Sequence, residues 1–488
     1  MKTLLSPMVG AAMASFMLSA HADFIDDSHA DVTLLNRYLN QQGRDVVNSN
    51  AKAHSIRDWG QGFEFNFKSG YTEGPVGFGL DLQAFYGLKL DSGGDLNDKD
   101  HQSRYPGSMF PLDNGKSADQ FGVLSPTFKM RFAKDELRVG TLYGNNPVLA
   151  NTDGRLYQQT NTGVQLVSKD LSDFTFTGGD IFKTKIRNET GDQGMITAGG
   201  TKESDRFLFG GADYTGIQNT TVSLWYSNLE DYYQQFFVGA KRHDALSVGA
   251  LDTDVRVFRS LGVGGNADGE KDYAASGLYG DGVNKGRINQ TTASLLESYS
   301  LDGHTVGLGI QKNSGESDFP YLDSGLNSGD NRQGPGSGAD TPALTNMQLN
   351  KFQHAGERTW LAQYKYDLGK LGIPGLTFSA AYAHGDDIRT AQGTTSEWER
   401  NVAVAYQVPT GTLKGLGVTW KNAHASPLPN FCRGVTGNGG HLVPATQCFF
   451  KQLAASATGC ADNCDLAHDV LQYPGSRRLA LEIGRAHV

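Results

Sequence analysis

The segment "GPVGFGLDLQAFYGLKL", Gly74 to Leu90, alternates along its whole length. Val76, Phe78, Leu80, Leu82, Ala84, Tyr86, Leu88 and Leu90 occupy the even positions. Gly77, Gly79, Asp81, Gln83, Gly87 and Lys89 occupy odd ones, with Phe85 the exception. Period-two alternation makes a strand with two unlike faces. Soluble strands average about 5 or 6 residues, and this one is far longer. A strand that crosses hydrocarbon at a tilt needs about 9 to 11 residues.

The pattern recurs. "GFEFNFKSGY" sets Phe63, Phe65 and Phe67 against Glu64, Asn66 and Lys68. "TFKMRFAK" sets Phe128, Met130 and Phe132 against Lys129 and Arg131, so these two, with Arg138 opposite Leu137, are expected to face water. "LDTDVRVF", "HTVGLGIQK", "TWLAQYKYD", "LTFSAAYAH", "NVAVAYQV" and "LGVTWKN" alternate in the same way. Short turns at 69–75, 133–136, 301–304 and 409–415 alternate with long polar loops at 91–125, 143–162, 259–289 and 313–352. Long loops at one rim and tight turns at the other define an up-and-down barrel. Aromatic pairs at Phe85/Tyr86, Tyr232/Tyr233, Phe236/Phe237 and Tyr364/Tyr366 are expected in the interfacial girdles of such a barrel. A closed sheet satisfies its backbone inside lipid, which an open one cannot. The fold class is therefore all-β, a transmembrane antiparallel barrel. Its roughly 400 residues allow about 18 strands.

Other features agree. Residues 1–22 read as a secretory signal peptide: Lys2, an apolar run, then Ala20-His21-Ala22 before Asp23. No later run has the length of a membrane helix. A net charge of −9 gives no reason to expect nucleic acid. No HExxH, GxSxG or Walker loop is present, so no enzyme is expected, and no metal or cofactor. The acidic run 91–100 lacks the glycine and distal glutamate of an EF-hand. A propeller or β-helix would show one dominant repeat period, and none is visible.

Six segments carry a resemblance. They are "DWGQGFEFNFKSGYTEGPVGFGLDLQAFYGLKLD" (58–91), "GRLYQQTNTGVQL" (154–166), "SNLEDYYQQFF" (227–237), "LDGHTVGLGIQK" (301–312), "GERTWLAQYKYDLGKLGIPGLTF" (356–378) and "GLGVTWKNA" (415–423). Over residues 23–424 the chain resembles the OprD-type substrate-specific porins of pseudomonads. The resemblance implies an 18-stranded barrel of the bacterial outer membrane, a monomer or weak trimer, its lumen narrowed by inward-folded loops. It implies diffusive uptake of small carboxylates such as amino acids, short peptides or aromatic acids, with outer-membrane lipid and lipopolysaccharide as surroundings. The alternatives are a general diffusion porin and a secreted or surface all-β binding protein or enzyme.

Residue by residue, Arg155 matches the third-loop constriction. Asp318 and Tyr321 match the acidic and aromatic part of the seventh loop, and Lys421 one position of the basic wall. Lys129, Arg131 and Arg138 complete the candidate substrate pathway. Arg155 and Asp318 are expected to approach each other across the lumen. Asn36-Arg37 stands where relatives read Arg-Asn, and a one-residue shift changes the face of a strand; Arg37 is not counted as a lumen residue.

The resemblance stops after "GVTWKNAHA". Residues 425–488 hold all four cysteines, Cys432, Cys448, Cys460 and Cys464, and show no closing strand. They read as a frameshift or assembly artefact, expected to form no part of the barrel.

Overall fold

A computed structural model describes residues 22–43, 54–95, 106–152, 154–275, 286–324, 341–390, 393–426 and 481–482. Seventeen strands follow one another: β1 (His29–Gly43), β2 (His54–Lys68), β3 (Val76–Ser92), β4 (Gln120–Phe132), β5 (Asp135–Leu142) and β6 (Thr160–Ser168). Then come β7 (Phe174–Lys185), β8 (Phe207–Ile217), β9 (Thr220–Leu229), β10 (Tyr233–Ala245), β11 (Ala250–Gly262) and β12 (Asn289–Leu301). The last are β13 (His304–Gly315), β14 (Arg358–Asp367), β15 (Leu376–Thr390), β16 (Gly393–Gln407) and β17 (Gly417–Ala425). Each pairs antiparallel with the next.

Burial runs opposite to that of a soluble sheet. On β13, Leu308 is 62% and Ile310 60% exposed, whereas Gln311 is 3% and Asn313 0%. Apolar side chains face outward and polar ones inward, as a membrane barrel requires. Tight hairpins join the strands at one rim. Asp302 and Gly303 both adopt positive φ (47° and 83°), the two-residue turn whose twist matches its flanking strands.

The opposite rim carries the long loops L2 (93–119), L3 (143–159), L4 (186–206), L6 (263–288) and L7 (316–357). L4 is long although no long connection is expected there from the sequence. The connections at 230–232 and 391–392 on this rim are short. Met195–Thr197 of L4 pairs antiparallel with Leu322–Ser324 of L7.

Adjacent strand residues cannot both face lipid, and this corrects the expected girdles. Tyr86 and Phe236 are exposed, while Phe85, Tyr232, Tyr233 and Phe237 are buried within.

The end of the sheet also differs from expectation. Ala425 is paired with Glu399, and Leu481–Glu482 pair with Leu34 and Thr33 on β1. Among the described residues β1 pairs otherwise only with β2, and backbone groups open on a strand edge can be satisfied by any strand. Residues 427–480, with every cysteine, lie outside the described residues.

Candidate functional site

The inner wall is built first by what lies against it. Leu156 and Tyr157 of L3 are buried with Met109 and Phe110 of L2 against Leu35, Leu39, Ile56, Phe85 and Phe121. Phe85, the one apolar residue on the polar face of β3, is thus the wall's contact for L3. Gly60 and Gly62 leave room for it. A Cβ at Gly60 would sit 2.8 Å from Leu156, and one at Gly62 2.9 Å from Phe85. Tyr157 Oη lies 3.1 Å from Ser125 Oγ, and Tyr143 Oη donates to Gln83 at 2.6 Å.

This anchoring fixes Arg155, the residue before Leu156. Its Nε donates to Ser108 Oγ of L2 at 2.8 Å and Nη1 to the Gly154 carbonyl at 2.9 Å. It is half-buried.

L7 is held on the other side of the lumen. Phe319 packs edge-on to Phe258 of β11, ring centroids 5.1 Å apart. Arg256, paired with Asp254, donates to the Pro342 carbonyl at 2.5 Å. The Glu399 carboxylate on β16 accepts backbone N–H groups of Gln348 (2.9 Å), Leu349 (3.1 Å) and Asn350 (2.6 Å). Asp318 meets His354 Nδ1 at 3.1 Å and accepts from Ala355 N at 2.9 Å. Burial opposes the charge on His354, but Asp318 and the nearby Glu397 and Glu357 outweigh it and push its pKa up to about 10. Tyr321 is half-buried against the loop core; its carbonyl accepts from Thr197 of L4, and Lys351 Nζ lies 3.8 Å over its ring.

Arg155 and Asp318 each take partners elsewhere than from one another. L7 folds on itself and gives Asp318 partners from its own returning limb, while Arg155 turns to L2.

Three strand cations lie near the short-turn rim. Lys129 is buried rather than facing water. Its Nζ lies 2.6 Å from Asp81 Oδ1 and donates to the Ser69 carbonyl at 2.7 Å. Arg138 pairs with Glu136 at 2.5 Å and is partly exposed. Arg131 is exposed. Lys421 of β17 shares the inward face with the buried Thr419 and Ala423, opposite Ala403. Arg37 also points inward, 2% exposed, on the face of Leu35 and Leu39, so it belongs to the lumen wall after all. Arg256 shows the same inward parity in "LDTDVRVF", but its contact with L7 has no local signal.

An outward apolar face, an inward polar one, and a bore lined by anchored loops and basic groups define an outer-membrane channel. The chain belongs to the OprD family of outer membrane porins, which it matches over residues 22–427. The porin-like protein GalP of Pseudomonas putida is 34% identical over 85% of this chain and 90% of its own. The crystal structure of Pseudomonas aeruginosa OccK8 (OprE) shares 39% identity at a TM-score of 0.73, covering 83% of this chain and 95% of that one. Pseudomonas aeruginosa OpdK, crystallised with vanillate, shares 29% identity at a TM-score of 0.69, covering 83% and 96%. These relatives are channels rather than enzymes.

Proposed function

We propose that this porin is a substrate-specific channel for diffusive uptake of small water-soluble carboxylates. The observation that carries the reading is Arg155, half-buried on an L3 pinned to the inner wall. Arg131 and Lys421, neither of them fully buried, supply further inward cations. A row of weak sites lets an anion bind, advance and leave. That OpdK was crystallised with vanillate, itself a carboxylate, supports the same solute class.

Planar-bilayer recordings with acetate, benzoate, an amine and a neutral sugar test it. Acids should permeate in preference, and Arg155→Ala should weaken that preference and move the reversal potential in a salt gradient away from anion selectivity. Equal passage of acids, amines and sugars indicates a general diffusion porin and rejects the specific reading.

A further inference from the structure

On the short-turn rim one cluster brings five charged side chains and one ring together. Asp81 on β3, Lys129 and Arg131 on β4, and Glu136 and Arg138 on β5 meet beneath Tyr71, which the turn 69–75 folds back over them. Tyr71 Oη donates to Glu136. Gly77 and Gly79 of the opening segment admit this arrangement. A Cβ at Gly77 would lie 3.0 Å from Tyr71 Cβ, and one at Gly79 2.5 Å from the Lys129 side chain.

The three cations are not equivalent. Lys129 is committed to Asp81 and to the Ser69 carbonyl, and Arg138 to Glu136. Arg131 differs. Its Cζ lies 4.5 Å from the centre of the Tyr71 ring, and no carboxylate among the described residues pairs with it. Stacking on a ring engages the flat face of a guanidinium. The N–H edge remains, and that edge is what a carboxylate binds in two-pronged fashion. The cluster sums to three positive and two negative charges, and the surplus sits on the exposed member. Burial and Glu136 hold the Tyr71 phenol well above its ordinary range, so the ring stays neutral under Arg131.

We propose that Arg131, seated on Tyr71, is the anion site of the short-turn mouth, where a carboxylate leaves the lumen, and that Lys129 and Arg138 hold the wall rather than the solute. Tyr71 is a positioning residue. In the outer membrane short turns face the periplasm, so this is the exit. The proposal rests on the carboxylate-channel reading and adds which cation serves it, and at which end.

Single-channel recording on the full chain, with benzoate added from one chamber at a time, separates the possibilities. Arg131→Gln should lower the benzoate association rate from the short-turn side by roughly 10-fold, with a smaller change from the loop side. Tyr71→Leu should do the same, and Tyr71→Phe, which keeps the ring, should not. Arg138→Gln should leave that rate near wild type. An unchanged short-turn rate in Arg131→Gln overturns the proposal, as does an equal loss in Arg138→Gln. Arg131 is exposed, so its replacement leaves the wall packed; should Tyr71→Leu not fold, the two arginine variants decide. If the wild type itself fails to distinguish benzoate from a neutral sugar, the carboxylate reading has failed instead.

Discussion

Asp318 and His354 close L7 upon itself: one carboxylate oxygen lies 3.1 Å from the imidazole Nδ1 while the other accepts the next backbone N–H, that of Ala355. The folded-state pKa of His354, about 10, lies above the ordinary 6.5. Its contribution to stability is therefore complete below pH 6.5 and is lost as pH rises through 10. Burial, foremost, also raises Glu357, and a carboxyl whose pKa folding raises likewise loses stability as pH rises. Hydrogen exchange at the amides of 347–357 should accelerate as pH passes from 6.5 to about 10, beyond the intrinsic rate. Asp318→Asn should bring that change toward neutral pH. Protection that tracks intrinsic exchange throughout the range rules the latch out.

Glu399 anchors the same loop from the wall. Glu399→Ala takes the acceptor from three backbone N–H donors, that of Asn350 buried, and should cost about 1–3 kcal/mol, with Glu399→Gln costing less because one oxygen remains. Denaturant unfolding, followed by the heat-modifiable band on a gel, measures this. Equal midpoints for wild type and Glu399→Ala show that the anchor contributes nothing.

Gly60 makes room for L3. Gly60→Val places atoms against Leu156 and Phe110 and should destabilise the protein by about 1–3 kcal/mol, displacing Arg155 and altering single-channel conductance. Gly122→Ala is the control, since its Cβ meets nothing closer than 3.5 Å. Identical behaviour of the two variants refutes the fit.

The tail yields a genetic prediction. Resequencing across codon 424 should reveal another reading frame, one that encodes a closing strand to pair with β1 and β17. A confirmed frame, with a heat-modifiable folded band in native outer membranes, rejects it.

How much was legible follows from range. Alternation is local, so Val76 to Leu90 and its counterparts disclosed their strands, their faces and the inward parity of Lys421. Phe85 was misplaced beside Tyr86 in a girdle, although one ring out of pattern on a polar face is the local mark of a contact inside the bore. Charge pairing was not legible. Lys129 reads as a water-facing cation until β3 delivers Asp81 to it. Nor was the self-closure of L7, since Asp318 and His354 stand 36 residues apart. Arg37 shows the limit of register by analogy: a shift in sequence need not turn a side chain outward when the strand itself slides with it.

The short ladder between Met195–Thr197 and Leu322–Ser324 behaves as a tie-rod. L4 springs from the gap between β7 and β8, L7 from that between β13 and β14, so the ladder spans two separate arcs of the ring. A hoop braced in this way resists flattening along the tied direction and stays compliant across it. Severing either loop slackens the other, and the bore is shaped by an internal brace as well as by the number of its staves.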